Sequence, residues 1–101
     1  MTKDLYRYRF TADVPMEEVE ASLLLAVVAT ESLHGESQTR LDAAHYLDPT
    51  KRALVIDAGT PAGRALNRLF TGLIAREFGA DAFSVEHVVD SRNQHPQEAA
   101  A

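Results

Sequence analysis

The sequence predicts one α+β domain two layers thick, and three observations carry that prediction. Apolar residues recur with a period of two in three stretches and with a helical period in two others, and a further short stretch is rich in Leu, Val and Ile. Glycine and proline fall between those stretches, where strands and helices have to end. The chain has 101 residues, 46% hydrophobic and 25% charged, which is the size and composition of a domain with a single core.

Leu5 to Phe10 alternates, with Tyr6, Tyr8 and Phe10 on one face and Arg7 and Arg9 on the other, and reads as a half-buried strand. Pro15 suits a first helical turn, and Glu17 and Glu18 complement the positive end of a helix dipole. A first helix is therefore expected over 15–34, with Val19, Leu23, Ala26, Val27 and Leu33 on its apolar stripe and Gly35 as its stop. Period two returns from Thr39 to Leu47, placing Leu41, Ala43, His45 and Leu47 opposite Arg40, Asp42, Ala44 and Tyr46, and predicts a second strand. Residues 48–51 form a turn, and the Leu, Val and Ile of 52–58 make a third, central strand antiparallel to the second.

Gly59, Thr60 and Pro61 then break the strand and open a second helix over 61–78, with Leu66, Leu69, Phe70, Leu73, Ile74 and Phe78 on one stripe. Gly79 ends it, and 83–89 alternates as a fourth strand. Residues 90–101 are polar and read as a disordered tail, leaving 1–89 as the domain. The order strand, helix, strand, strand, helix, strand is that of the ferredoxin-like βαββαβ sandwich, a four-stranded antiparallel sheet in the order four, one, three, two with both helices on one face. That architecture serves enzymes, regulators and binding modules alike, so function has to come from surfaces.

Composition excludes several classes. There is no cysteine, which removes thiol catalysis, Cys-ligated zinc and iron–sulfur clusters. Ten Lys and Arg against fifteen Asp and Glu give a net charge of −5, the wrong sign for a nonspecific nucleic-acid binder. The longest apolar run, Leu23 to Ala29, is too short to span a membrane, and no signal-peptide pattern opens the chain, so a soluble cytoplasmic protein without a membrane partner is expected.

Four places could carry chemistry. The first is the sheet face without helices, expected to display Arg7 and Arg9, Arg40, Asp42 and Tyr46, Val55 and Asp57, and Ser84 and Glu86. Arg7 and Arg9 could grip a carboxylate or phosphate through bidentate bonds. The plainer reading is a solvated or dimer-covered face laced with pairs such as Arg9 with Asp57 or Arg7 with Glu86. With the tyrosines outward instead, the face would resemble a base-stacking surface, which the acidic balance opposes. The second place is the strand-to-helix loop from Asp57 to Arg64, where Gly59, Thr60, Arg64 and Arg68 could hold an anion. Pro61 removes a donor there and the P-loop pattern is missing, so a threonine cap is the plainer reading.

The third is Glu31 with His34, one copy of a Glu-x-x-His spacing, too little for a carboxylate-bridged metal site. His45 and His87 fall on the apolar phase of edge strands, where an imidazole usually bonds a backbone carbonyl, and His95 lies in the tail, so neither metal nor cofactor is expected. His45, His87, Asp42 and Asp57 are the only nominees for proton transfer, and no catalytic motif joins them. The fourth is the first helix, apolar around its whole circumference from Leu23 to Ala29; Leu24, Leu25 and Val28 then need cover from the second helix, the tail or another subunit. Ala21, Ala26, Ala29 and Gly72 would let the two helices approach closely and account for part of that cover.

These readings converge on a small binding or regulatory module, oligomeric and most simply a homodimer, and not a catalyst. The alternative is a small enzyme or anionic-metabolite binder using the open sheet face or the 59–64 loop.

Overall fold

The computed structural model describes residues 4–89, so the expected tail and His95 lie outside the described residues. The elements are β1 (Asp4–Phe10), α1 (Met16–His34), α2 (Glu36–Asp42), β2 (His45–Asp48), β3 (Ala53–Asp57), α3 (Pro61–Phe78), a 3-10 turn (Ala80–Ala82) and β4 (Phe83–Val89). The molecule is α+β, with one four-stranded antiparallel sheet in the order β2-β3-β1-β4 and three helices. Registers place Arg7 between Val55 and Glu86, and Arg9 between Ala53 and Ser84.

The alternation in β1 decides which face is covered. Tyr8 and Phe10 are buried, at 0% and 6% exposure, which excludes an outward-facing tyrosine ladder. Both meet Phe70 of α3 edge-on, with the Tyr8 and Phe70 ring centroids 5.1 Å apart. Leu54 and Ile56 of β3, Val19, Leu23 and Ala26 of α1, and Leu66 and Ile74 of α3 complete the core. The Tyr8 hydroxyl donates to Asn67 Oδ1 at 2.5 Å and lies 2.5 Å from the Thr71 hydroxyl, so its burial leaves no orphaned polar atom. Burial pushes the phenol above its ordinary pKa.

Local chemistry sets the element ends. Gly35 and Gly79 stop α1 and α3 at φ of 86° and 89°, a backbone region that costs glycine little. Thr60 accepts a hydrogen bond from Gly63 N at 3.0 Å, with Pro61 at the first helical position, as a threonine cap requires. The same hydroxyl donates to the carbonyl of Asp42 at 2.6 Å and so ties the end of α2 to the start of α3. At Gly63 the two layers nearly touch: a Cβ built there would sit 2.1 Å from the carbonyl oxygen of Asp57. Arg52, at φ 55° in the β2–β3 turn, donates to the carbonyls of Thr11 and Val14 and braces the segment between β1 and α1.

Three expectations change. The strand expected over 39–47 is mostly helix: α2 occupies 36–42 and β2 only 45–48. Thr39 and Ala43 point inward four residues apart while Leu41 is exposed, which is helical spacing. The Glu36–Arg40 ion pair at 2.8 Å and the Gln38–Asp42 hydrogen bond are i,i+4 contacts of the same helix. Arg40 and Asp42 are therefore absent from the sheet face expected to carry them. On α1, Leu33 is exposed and Thr30 is buried, its hydroxyl donating to Ala26 O at 2.7 Å. The helical repeat identifies a face but not where along the axis its cover stops. Gly72, expected to ease helix–helix packing, is exposed, and a Cβ built on it would meet nothing within 4 Å.

Candidate functional site

The uncovered sheet face is built by register. One row across the strands runs Tyr46, Val55, Arg7, Glu86; the next runs Asp48, Ala53, Arg9, Ser84; a third contains Asp57, Leu5 and Val88. Arg7 pairs with Glu86 at 3.3 Å, the cross-strand contact their spacing suggests, and both side chains are substantially solvated. Arg9 does not pair with Asp57. Asp57 lies opposite Leu5, two registers away, and its Oδ1 accepts from Gly59 N at 2.9 Å. A shallow depression of about 280 Å³ opens between the first two rows, with Ala53 and Val55 as its floor, Tyr46 as one wall, and Arg7, Arg9 and Lys51 around it. Asp48 also borders it, and its Oδ1 accepts from the backbone N of Lys51 at 3.2 Å. Lys51 lacked any sequence signal, because only the curl of the β2–β3 turn brings it beside β1.

The 57–64 loop is organised around its own groups. The amide of Gly59 is taken by the Asp57 carboxylate, that of Gly63 by Thr60 Oγ1, and that of Arg64 by Thr60 O at 2.9 Å. An incoming anion would face the Asp57 charge and too few unused donors. Arg64 and Arg68 are both exposed, and Arg68 belongs instead to a groove between α1 and α3.

The nominated proton carriers stand apart. Asp42 is on α2; His45 Nδ1 is 3.1 Å from the carbonyl of Ala43; His87 bonds the Asp4 carboxylate and stacks on Tyr6 with centroids 4.5 Å apart. Both histidines are exposed and not in the core, and His87 bonds a carboxylate where a carbonyl was expected. His45 and Asp57 border one further depression, of about 200 Å³, with no hydrogen bond between them among the described residues. No group of three or more His, Asp or Glu could hold a metal ion among the described residues, and Glu31 and His34 gain no third ligand. Near the start of α1, a hydrogen bond to Glu77 of α3 holds the Glu18 carboxyl above the usual glutamate range; desolvation and the charges of Glu77 and Glu17 act in the same direction.

Neither family models, curated proteins nor solved structures give a match to this chain. Its surfaces therefore have to speak for themselves.

The outer face of α1 is the second feature. Leu24, Leu25 and Val28 are 58%, 61% and 59% exposed, although α3 packs along the same helix. Beside them runs a groove of about 440 Å³ lined by Leu25, Ala29, Leu69, Gly72 and Leu73, with Arg68 and Arg76 at its edge. Charge is divided between the two helices: α1 carries Glu17, Glu18, Glu20 and Glu31 and no Lys or Arg, whereas α3 carries Arg64, Arg68 and Arg76 against Glu77. No helix among the described residues is long and apolar enough to cross a membrane.

Proposed function

We propose that the chain is a small cytoplasmic binding module of ferredoxin-like architecture that works as a homo-oligomer, most simply a dimer, and not as a catalyst. The central position of β1 and β3 in an antiparallel sheet, with the long helices following β1 and β3, supports the ferredoxin-like assignment. The observation that carries the oligomer is the exposure of Leu24, Leu25 and Val28 in the middle of α1. Covering the remaining apolar surface of such side chains is worth roughly 1–2 kcal/mol each. The occupant that fits is a second copy. The acidic residues of α1 and the arginines at the groove edge are complementary in sign, which suits pairing of this face with a second copy, and a self-complementary patch closes on itself as a dimer. The scatter of Asp42, His45, Asp57 and His87, each engaged with a different local partner, supports binding over catalysis.

Light scattering over a wide concentration range, on the natural chain and on Leu25→Glu, tests this. The natural chain should have at least dimer mass, and the variant should be a monomer with an unchanged circular dichroism spectrum, since position 25 is open in the single chain. A natural chain that stays monomeric at every concentration, or a variant that keeps the natural mass, overturns the proposal.

A further inference from the structure

The open sheet face, which the helix-mediated assembly leaves accessible, holds a cluster that fold stability does not explain. We infer that the depression between Tyr46 and Arg9 binds a small aromatic anion, its charged group on Arg9 and its ring over Ala53 and Val55 against Tyr46. Arg9 is exposed at the centre of the sheet and has no ion-pair partner among the described residues. Among the described residues Arg7 is held only by the solvated contact with Glu86, a kind of pair that contributes little and is readily exchanged. Lys51 adds a third cation, so the depression gathers three of the chain's ten Lys and Arg against one carboxylate, Asp48, in a protein of net charge −5. Even with Arg7 set against Glu86, the cations here outnumber the carboxylates, which favours an anion at this spot on the sheet face.

The shape selects the rest of the ligand. Tyr46 and Arg7 share a row across three strands, so their backbones are about 10 Å apart at a strand spacing of about 4.8 Å. Val55, which lies between them, and Ala53 in the next row are short and apolar and make the floor. Tyr46 is 67% exposed on an edge strand, so its ring is open to a ligand lying on the sheet face. A single aromatic ring bearing a carboxylate or phosphate fits that span: the anion meets a guanidinium fork, and the ring lies on apolar carbon beside a tyrosine face. A bare anion would leave Tyr46 unused, and a neutral ring would leave the cations unused.

The test is a titration of the ¹⁵N-labelled chain, followed by backbone amide shifts, with benzoate, phenyl phosphate, inorganic phosphate and benzyl alcohol in turn. Benzoate or phenyl phosphate should saturate shifts at Arg9, Tyr46, Ala53 and Val55, and the tighter of the two identifies the charged group. Arg9→Ala should weaken that binding by about tenfold, equivalent to ~1.4 kcal/mol. Tyr46→Ser, at an exposed position that folding does not need, should weaken it severalfold. The inference fails if neither aromatic anion gives saturable shifts on this face, if inorganic phosphate or benzyl alcohol binds as tightly as the aromatic anions, or if both variants bind like the natural chain. Mass measurements play no part in this titration, so failure here and failure of the dimer are separately visible.

Discussion

Replacing Gly72 by alanine should strengthen the fold and weaken the assembly, and the opposition of the two signs makes the experiment decisive. Glycine in the interior of a helix costs about 0.5–1 kcal/mol relative to alanine, because its backbone has more freedom to lose. Gly72 is in the interior of α3, and a Cβ there would meet nothing within 4 Å, so nothing among the described residues opposes recovery of that energy. In a domain of this size 1 kcal/mol moves the melting temperature by roughly 4–8 °C, so the expected rise is about 2–8 °C. It should be read by thermal and urea unfolding in the Leu25→Glu background, where association does not contribute. In the natural background the added methyl stands on the floor of the groove where a partner helix would approach, and overpacking at a close contact costs about 1–3 kcal/mol. The dimer dissociation constant should therefore rise about tenfold or more, measured by sedimentation or light scattering. A lower melting temperature in the monomeric background would mean that Gly72 serves the fold itself. An unchanged dissociation constant would remove the groove from the interface.

Two further substitutions probe the frame that holds these surfaces. Gly63→Ala should destabilise the domain by about 1–3 kcal/mol in urea unfolding despite its better helix propensity, since its Cβ would lie 2.1 Å from the Asp57 carbonyl and the backbone would have to move; a variant as stable as the natural chain would refute that close approach. Glu18 should make stability rise on acidification. Its folded pKa lies above the ordinary value, so the folded state takes up the proton first; the favourable contribution is complete below the unfolded pKa and is lost as pH rises through the folded one. Glu18→Gln should flatten that part of the pH profile of the urea midpoint, and an unchanged profile would show that the Glu18–Glu77 contact does not persist in solution.

The elements most legible in the residue order are those with chemical punctuation. Thr60, Pro61 and Gly79 bracket α3 at the ends the structure shows, and the alternation of 83–89 matches β4. Residues 36–47 misled because Leu41, Ala43, His45 and Leu47 happen to alternate. The competing signal was the i,i+4 spacing of Glu36 with Arg40 and of Gln38 with Asp42, which marks a helix surface. The Tyr8–Asn67–Thr71 cluster was also readable in part, since Asn67 and Thr71 sit four apart beside the apolar stripe of α3. Nothing in the order of residues joined them to Tyr8.

Side-chain alternation and helical phase are local properties, set within a few bonds of each residue. That is why the sequence alone determined that Arg7 and Arg9 share one face of β1 and Tyr8 the other, and that α1 has more apolar surface than one neighbour can cover, whereas the burial of the Tyr8 face was decided by packing. Register is not local. Pairing Leu5 with Asp57 instead of Arg9 with Asp57 depends on how β3 docks along β1, a choice made by the whole core and by the Gly63 contact at the end of β3. That choice left Arg9 without a carboxylate partner among the described residues, and the curl of the β2–β3 turn set Lys51 and Tyr46 around it. Only tertiary structure decided that charges spread over three segments would share one depression, because their proximity is a consequence of packing energy summed over residues distant in the chain.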